Sequence, residues 1–225
     1  MHLAVAIAYA LLLCGILPLL AWISKRKLDE GIDLPRMALY AEAFVLQALL
    51  LGLSYGTARV LDTPIRGGAL LDPPALLVGA ATLALALAAM AIGWKIAGAK
   101  SADRLRLLVP RRGSERLAWL GVSIAAGVSE EVAFRGVLPI ALHRITGTMW
   151  VAIAISAAAF AMAHLVQGWW AALFVGLFGL VFHGVVWLTG GLWIAIAVHV
   201  LYDIIVGLTM GKLLAEPAEA LDAQV

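Results

Sequence analysis

Two adjacent acids, Glu130 and Glu131, precede an arginine, Arg135, in the segment GVSEEVAFRGVL, which lies inside a long apolar run. Farther along, Phe160 and His164 stand four apart, as do His199 and Asp203, again within apolar stretches. Carboxylates and imidazoles are the groups that move protons near neutral pH, and amide hydrolysis asks for such groups at its site. A charge at the centre of a bilayer costs about 2.5–3.5 kcal/mol on insertion scales. Three ionisable residues in one apolar run, with Asp203 in another, therefore require an interior site that compensates them.

On a helix, positions four apart share a face. Glu131 can then pair with Arg135, Phe160 sits one turn before His164, and Asp203 sits one turn after His199. Glu130 points about 100° away from Glu131, so the two acids cannot serve Arg135 equally. The expected division is that Glu131 neutralises Arg135 and pins the helix, while Glu130, less compensated, is available as a general base.

The elements that must hold these residues follow from composition. The chain has 225 residues, of which 64% are hydrophobic and 13% charged, with a mean hydropathy of +1.00. A soluble domain is nearer half apolar and a quarter charged. The expected fold is all-α: one polytopic transmembrane helical bundle of about seven spans, forming a single integral membrane domain over residues 1–225. The spans are placed from Leu3 to Ile23, Met37 to Ala58, Pro74 to Ile96, Arg116 to Leu142, Met149 to Val166, Trp169 to Leu188 and Gly191 to Gly211. The first lacks a basic leader and a small-residue cleavage site, which suits a retained anchor. Trp22, Trp94, Trp119, Trp150, Trp169, Trp170, Trp187 and Trp193 all fall near proposed span ends, where indole prefers to lie.

Charge sorts the loops. Lys25, Arg26, Lys27 and Arg36 lie between spans one and two. Lys100, Arg104, Arg106, Arg111, Arg112 and Arg116 lie between three and four, with Lys95 at the edge, whereas the intervening loops hold only Arg59, Arg66 and Arg144. By the positive-inside rule the amino terminus faces out and the carboxyl terminus faces the cytoplasm. A net charge of +2, with its basic residues explained by topology, gives no footprint for nucleic acid. The stretch from Ala97 to Glu115 reads as an amphipathic surface helix or a solvated loop. The tail from Glu216 to Val225 is expected to be disordered. Cys14, the only cysteine, cannot form an internal disulfide and reads as a small apolar residue of the first span. His183 is expected to hydrogen-bond between helices, Glu42 to be interfacial within reach of Arg36, and Gly176 and Gly179 to allow close helix approach. Gln47 faces the same choice as His183, between a hydrogen bond to a neighbouring helix and a part in the site.

Taken together, Glu-Glu-x-x-x-Arg (Glu130, Glu131, Arg135), Phe-x-x-x-His (Phe160, His164) and His-x-x-x-Asp (His199, Asp203), in this order on successive late spans, resemble the CPBP family. These are the type II CAAX-prenyl endopeptidases and their bacterial relatives, also called Abi proteins, which are intramembrane proteases. The resemblance runs from about Ser114 to Gly211, and the first three spans take no part in it. It implies that Glu130, helped by His164, deprotonates an attacking water. It also implies that His199 and Asp203 stabilise the tetrahedral oxyanion, and that Arg135 is structural, as the buried partner of Glu131. Many relatives have Asn at the last position. An Asn amide donates a hydrogen bond directly, whereas an ionised Asp would repel an oxyanion, so Asp203 either orients His199, is protonated or helps hold a metal.

Relatives are often called metalloproteases, and two histidines with a carboxylate form a hydrolytic zinc set. The helical His-Glu-x-x-His pattern is absent. Zinc, on Glu130, His164 and His199, and a metal-free site are both chemically coherent. The expected function is endoproteolysis of a membrane-associated or lipidated protein or peptide, with membrane lipid as surroundings. A non-proteolytic scaffold or immunity factor, or a proton-coupled transporter, are the alternatives. Against the transporter, the early spans lack the matching polar residues of a repeated transport fold.

Overall fold

The structure, a computed structural model, describes residues 1–30, 35–97 and 105–214. Among these residues it is a bundle of helices without strands. We number them α1 (His2–Asp29), α2 (Arg36–Val60), α3 (Pro73–Ala97), α4 (Gly113–Thr146), α5 (Met149–Ala163), α6 (Trp169–Thr189) and α7 (Trp193–Leu213). The expected disordered tail, and the part of the Ala97 to Glu115 stretch that contains Lys100 and Arg104, lie outside the described residues.

Each of the seven apolar runs becomes a helix, but among the described residues only six helices are long enough to cross a bilayer. The fifth expected span is shorter than placed: α5 has 15 residues and rises about 22 Å, against a hydrocarbon thickness of about 30 Å. It stops at His164, passes through one 3₁₀ turn, Leu165–Gln167, and ends at Gly168, whose φ of +104° is open to glycine and strained for other residues. The helix end thus presents His164 within the bundle rather than at its surface.

Prolines shape α1 and α4 in the same way. Each contains one π-helical stretch, Leu12–Ile16 in α1 and Val132–Val137 in α4, and each stretch is followed two residues later by proline, Pro18 or Pro139. A proline inside a helix has no N–H and crowds the carbonyl four residues back; a wider turn relieves the crowding. In α4 the Leu138 N–H reaches the Ala133 carbonyl, five residues back. In that register the Phe134 carbonyl would belong to Pro139, which has no proton to give. Ser156 of α5 supplies it instead, donating from Oγ to Phe134 O at 2.6 Å.

Helix α4 runs through the middle of the bundle, packed against α1, α2, α5 and α7. The core around it includes Leu13, Leu61, Phe134, Leu138 and Leu192. The outer helices face away with apolar side chains: Leu49, Leu77 and Trp187 are 66%, 72% and 82% exposed. Such surfaces would aggregate in water and suit a lipid environment. The chain is therefore a multi-pass integral membrane protein.

Most tryptophans lie exposed near helix ends, Trp22, Trp150, Trp169, Trp170, Trp187 and Trp193 among them. Trp119 does not fit the expected interfacial belt. Its ring lies where a side chain on Gly207 of α7 would be, its edge meets Tyr40 at 5.7 Å, and its Nε1 donates to the Asp203 backbone carbonyl at 2.9 Å. Gly127 of α4 likewise leaves room for Val200 of α7. These contacts fix α7 against α4.

The two ends of the bundle are chemically unlike. At one, Arg36 donates to the Arg106 carbonyl from Nε at 3.3 Å and Nη2 at 3.1 Å, and Tyr40 donates to Leu108 O at 2.8 Å. Glu115 accepts from the Arg111 and Arg112 N–H groups and lies 3.6 Å from Arg36. At the other end, Arg144 donates to Leu61 O at 2.6 Å. There the carbonyls of Arg66 and Gly67 accept from Leu192 and Trp193, satisfying donors at the start of α7 that the helix itself cannot.

Candidate active site

Four helices bring the polar residues to one place. Glu131, fully buried, and Arg135 occupy α4 at and just beyond the start of its π stretch. Arg135 Nη1 donates to Glu131 Oε1 at 3.1 Å. Its guanidinium also lies 4.0 Å from the centre of the Phe160 ring and 5.3 Å from that of Phe182, so two aromatic faces as well as a carboxylate compensate the buried cation. The same Glu131 oxygen accepts from His199 Nδ1 at 2.7 Å, which ties α4 to α7.

Glu130 is turned elsewhere. Its Oε1 accepts from Gln47 Nε2 of α2 at 2.6 Å. Its Oε2 is buried without a hydrogen-bond partner and faces His164 Nε2 at 3.7 Å and His199 Nε2 at 3.8 Å. His164 Nδ1 lies 2.8 Å from the Phe160 carbonyl. A carbonyl can only accept, so Nδ1 carries the proton, which leaves the lone pair of a neutral ring on Nε2, toward Glu130. For His199 the donation to Glu131 assigns Nδ1–H in the same manner. Asp203 Oδ2 lies 3.6 Å from His199 Nε2. The aromatic ring of Phe160 packs on His164 at 4.5 Å and stands edge-on to His199 at 6.3 Å.

All six residues singled out from the sequence therefore line one place, and each also borders a cavity of about 410 Å³. The rest of its lining is largely apolar and aromatic, with Met90 and Trp94 from α3, Phe174 and Phe178 from α6, and Tyr202 from α7. Small residues on α6 let it close on α5: a side chain on Gly176 would meet Ala161, and Gly179 lies against Ala157.

The structure adds contacts that the sequence reading left open or did not assign. Gln47 contacts Glu130 directly, and its Oε1 accepts from Ser129 Oγ at 2.5 Å. Ser156 holds the π turn beneath Arg135, and Phe182 faces its guanidinium. A signal for Gln47 was present: a lone amide in the run FVLQALLL must find a partner away from lipid. For His183, Nε2 is buried without a hydrogen-bond partner, so an interhelical bond would have to come from Nδ1.

The donor types of His164, His199 and Glu130 are those of zinc chemistry. Among the described residues, however, no three His, Cys, Asp or Glu side chains are arranged to hold a metal ion. The fit is thus one of chemistry and not of arrangement.

The fold and site define a class: a polytopic helical membrane protein with an acid, an imidazole pair and an aromatic-walled cavity enclosed among its helices. Residues 112–205 match the family model described as "Type II CAAX prenyl endopeptidase Rce1-like". The matched stretch spans α4, α5, α6 and the part of α7 that holds His199 and Asp203, so over these helices the chain is similar to that family. No curated protein and no solved structure matched the chain.

Proposed function

We propose that this protein is an intramembrane endopeptidase that hydrolyses a peptide bond of a membrane-associated or lipidated protein or peptide. The observation that carries the reading is the second oxygen of Glu130: buried, without a hydrogen-bond partner, and facing the lone-pair side of His164 and Nε2 of His199 in one cavity. A water placed there would give a proton to Glu130 Oε2 while hydrogen-bonding to His164 Nε2, and its oxygen would attack the scissile carbonyl carbon. Negative charge then develops on the carbonyl oxygen. His199 can donate to it from Nε2 as an imidazolium, with Glu131 holding Nδ1 and Asp203 supplying counter-charge beside the ring. Collapse of the intermediate breaks the C–N bond, and the proton on Glu130 passes to the leaving amine. Arg135 takes no direct part; it neutralises Glu131 and so keeps His199 in place.

The six residues named from the sequence thus divide into Glu130 and His164 on the water, His199 and Asp203 on the oxyanion, and Glu131 and Arg135 as the frame. Residues 1–225 act as one membrane domain, with the protease core from about Ser114 to Gly211. The carboxyl terminus faces the cytoplasm and the amino terminus faces out. The gathering of Arg36, Arg106, Arg111 and Arg112 at one end of the bundle supports this orientation. Substrate enters from the lipid between α3 and α6 or from the basic end, where Leu105, Leu108 and Val109 line the cavity.

The test is cleavage of a quenched-fluorescent peptide library, prenylated members included, by the purified protein in liposomes. Glu130→Gln is measured alongside, with and without chelator. Turnover that Glu130→Gln abolishes and chelator spares assigns the work to these side chains. Turnover lost to both and restored by zinc adds a metal to His164, His199 and Glu130. No turnover from a folded sample transfers the reading to a non-proteolytic scaffold.

A further inference from the structure

We infer that Gln47, on a helix outside the matched domain, is a positioning residue that selects which oxygen of Glu130 works. An inference of this kind rests on the reading of Glu130 as the base. A primary amide has a donor end and an acceptor end, and here both are committed. In the ionised form that a base requires, Glu130 can only accept, so it takes the NH₂ end at 2.6 Å; the oxygen end lies 2.5 Å from Ser129 Oγ, whose one proton it shares with the Ala125 carbonyl at 2.8 Å. The order Ser129, Gln47, Glu130 therefore has one direction. With Oε1 tied in this way, the carboxylate plane is fixed and Oε2 is the oxygen that faces both imidazoles.

Rotation of Glu130 would exchange its oxygens or swing both away from His164, and a reacting group displaced by about 1 Å can lose roughly 10²-fold in rate. Glu130 has little else to hold it. Its neighbour Glu131 is paired with Arg135 and His199, and among the described residues the ion-pair partners of Glu130 are the two histidines it would work with. Gln47 also stands at a boundary. It borders the catalytic cavity on one side and, on the other, an apolar groove of about 430 Å³ between α2 and α4, beside Phe44, Leu51, Ile124 and Val128. The amide thus meets the acid where the stem closes the wall toward lipid.

A helix-stitching amide would also explain a contact between α2 and α4, so the test must read something that stitching does not move. Liposome-reconstituted full chain is assayed for kcat and KM as wild type, Gln47→Leu, Ser129→Ala, the double variant and Glu130→Gln, with melting followed by circular dichroism. In parallel, the carboxylate stretch of Glu130, identified as the infrared band absent from Glu130→Gln, is followed in each variant.

Expected for Gln47→Leu is a kcat about 10- to 100-fold lower with KM within about twofold, and a moved Glu130 band. Ser129→Ala, which removes one oxygen, should lower kcat about threefold to tenfold and add nothing to Gln47→Leu, since it acts through the same amide. Should Gln47→Leu fail to fold, Ser129→Ala and its infrared band decide alone. A kcat within twofold of wild type, a change confined to KM, or an unmoved band overturns the inference. If Glu130→Gln is inactive while Gln47→Leu is fully active, only the inference fails. If Glu130→Gln turns over like wild type, or the wild type cleaves nothing, the base reading fails instead, and with it the inference, whatever the infrared band shows of the contact.

Discussion

The first three helices and the last four are built from similar amino acids and do different work. α2 and α3 bury only 17% and 22% of their most apolar stretch, and α6 is as open at 22%, whereas the site-bearing α4 and α7 bury 44% and 39%. The outer helices turn leucine to the lipid; the inner ones turn Glu, Arg, His and Asp to each other. Yet the halves are not separable. Gln47 reaches from α2 to Glu130, and α3 lines the same cavity as the acids. The difference teaches that an outer helix can be chemically silent over most of its length and still supply a contact to the reacting group.

Several variants would break or sharpen this contrast. The largest effect is expected from Glu130→Gln in α4, which should lower turnover about 10²- to 10⁴-fold with melting unchanged, since the amide cannot take a proton from water. Arg135→Ala should destabilise the protein by about 3–5 kcal/mol, because it leaves Glu131 buried without its cation, and denaturant titration reads this directly. Ser156→Ala should cost about 1–3 kcal/mol by leaving the Phe134 carbonyl without its donor, with activity falling only as far as Arg135 shifts. Asp203→Asn should keep turnover within about tenfold, since an amide can donate to the oxyanion that Asp203 serves through His199; a loss as deep as that of Glu130→Gln would show that the carboxylate itself is required. The smallest effect belongs to Leu49→Ala on the lipid face of α2, expected within about 0.5 kcal/mol in the same titration. A cost near that of a core leucine would mean that this face is covered by another protein.

Much of this was legible in the sequence because a bilayer leaves few solutions. Apolar runs of span length must be helical, since lipid cannot satisfy backbone N–H and C=O groups. Ionisable residues within them must face inward, and Glu130, Glu131, Arg135, His164, His199 and Asp203 were found on that ground. Helical spacing further indicated that Glu131 could reach Arg135. What spacing could not show was that α5 stops at His164, because its end depends on the turn through Gly168 and on how α6 returns along it. Trp119 was misplaced for a related reason: its position near a span end is equally compatible with lipid and with a neighbour, and Gly207 makes the neighbour available.

The sequence by itself determined the membrane class, the run of helices, and which side chains could not be left in lipid, because local periodicity and solvation are properties of the chain. Only the tertiary structure decided which atom meets which. Glu131 turns one oxygen to both Arg135 and His199, Glu130 turns its two oxygens to Gln47 and to the imidazoles, and Ser156 covers the carbonyl that Pro139 cannot. Those pairings join residues as far apart as 83 positions. They depend on helix rotation and depth across the bundle, which no local pattern along the chain encodes.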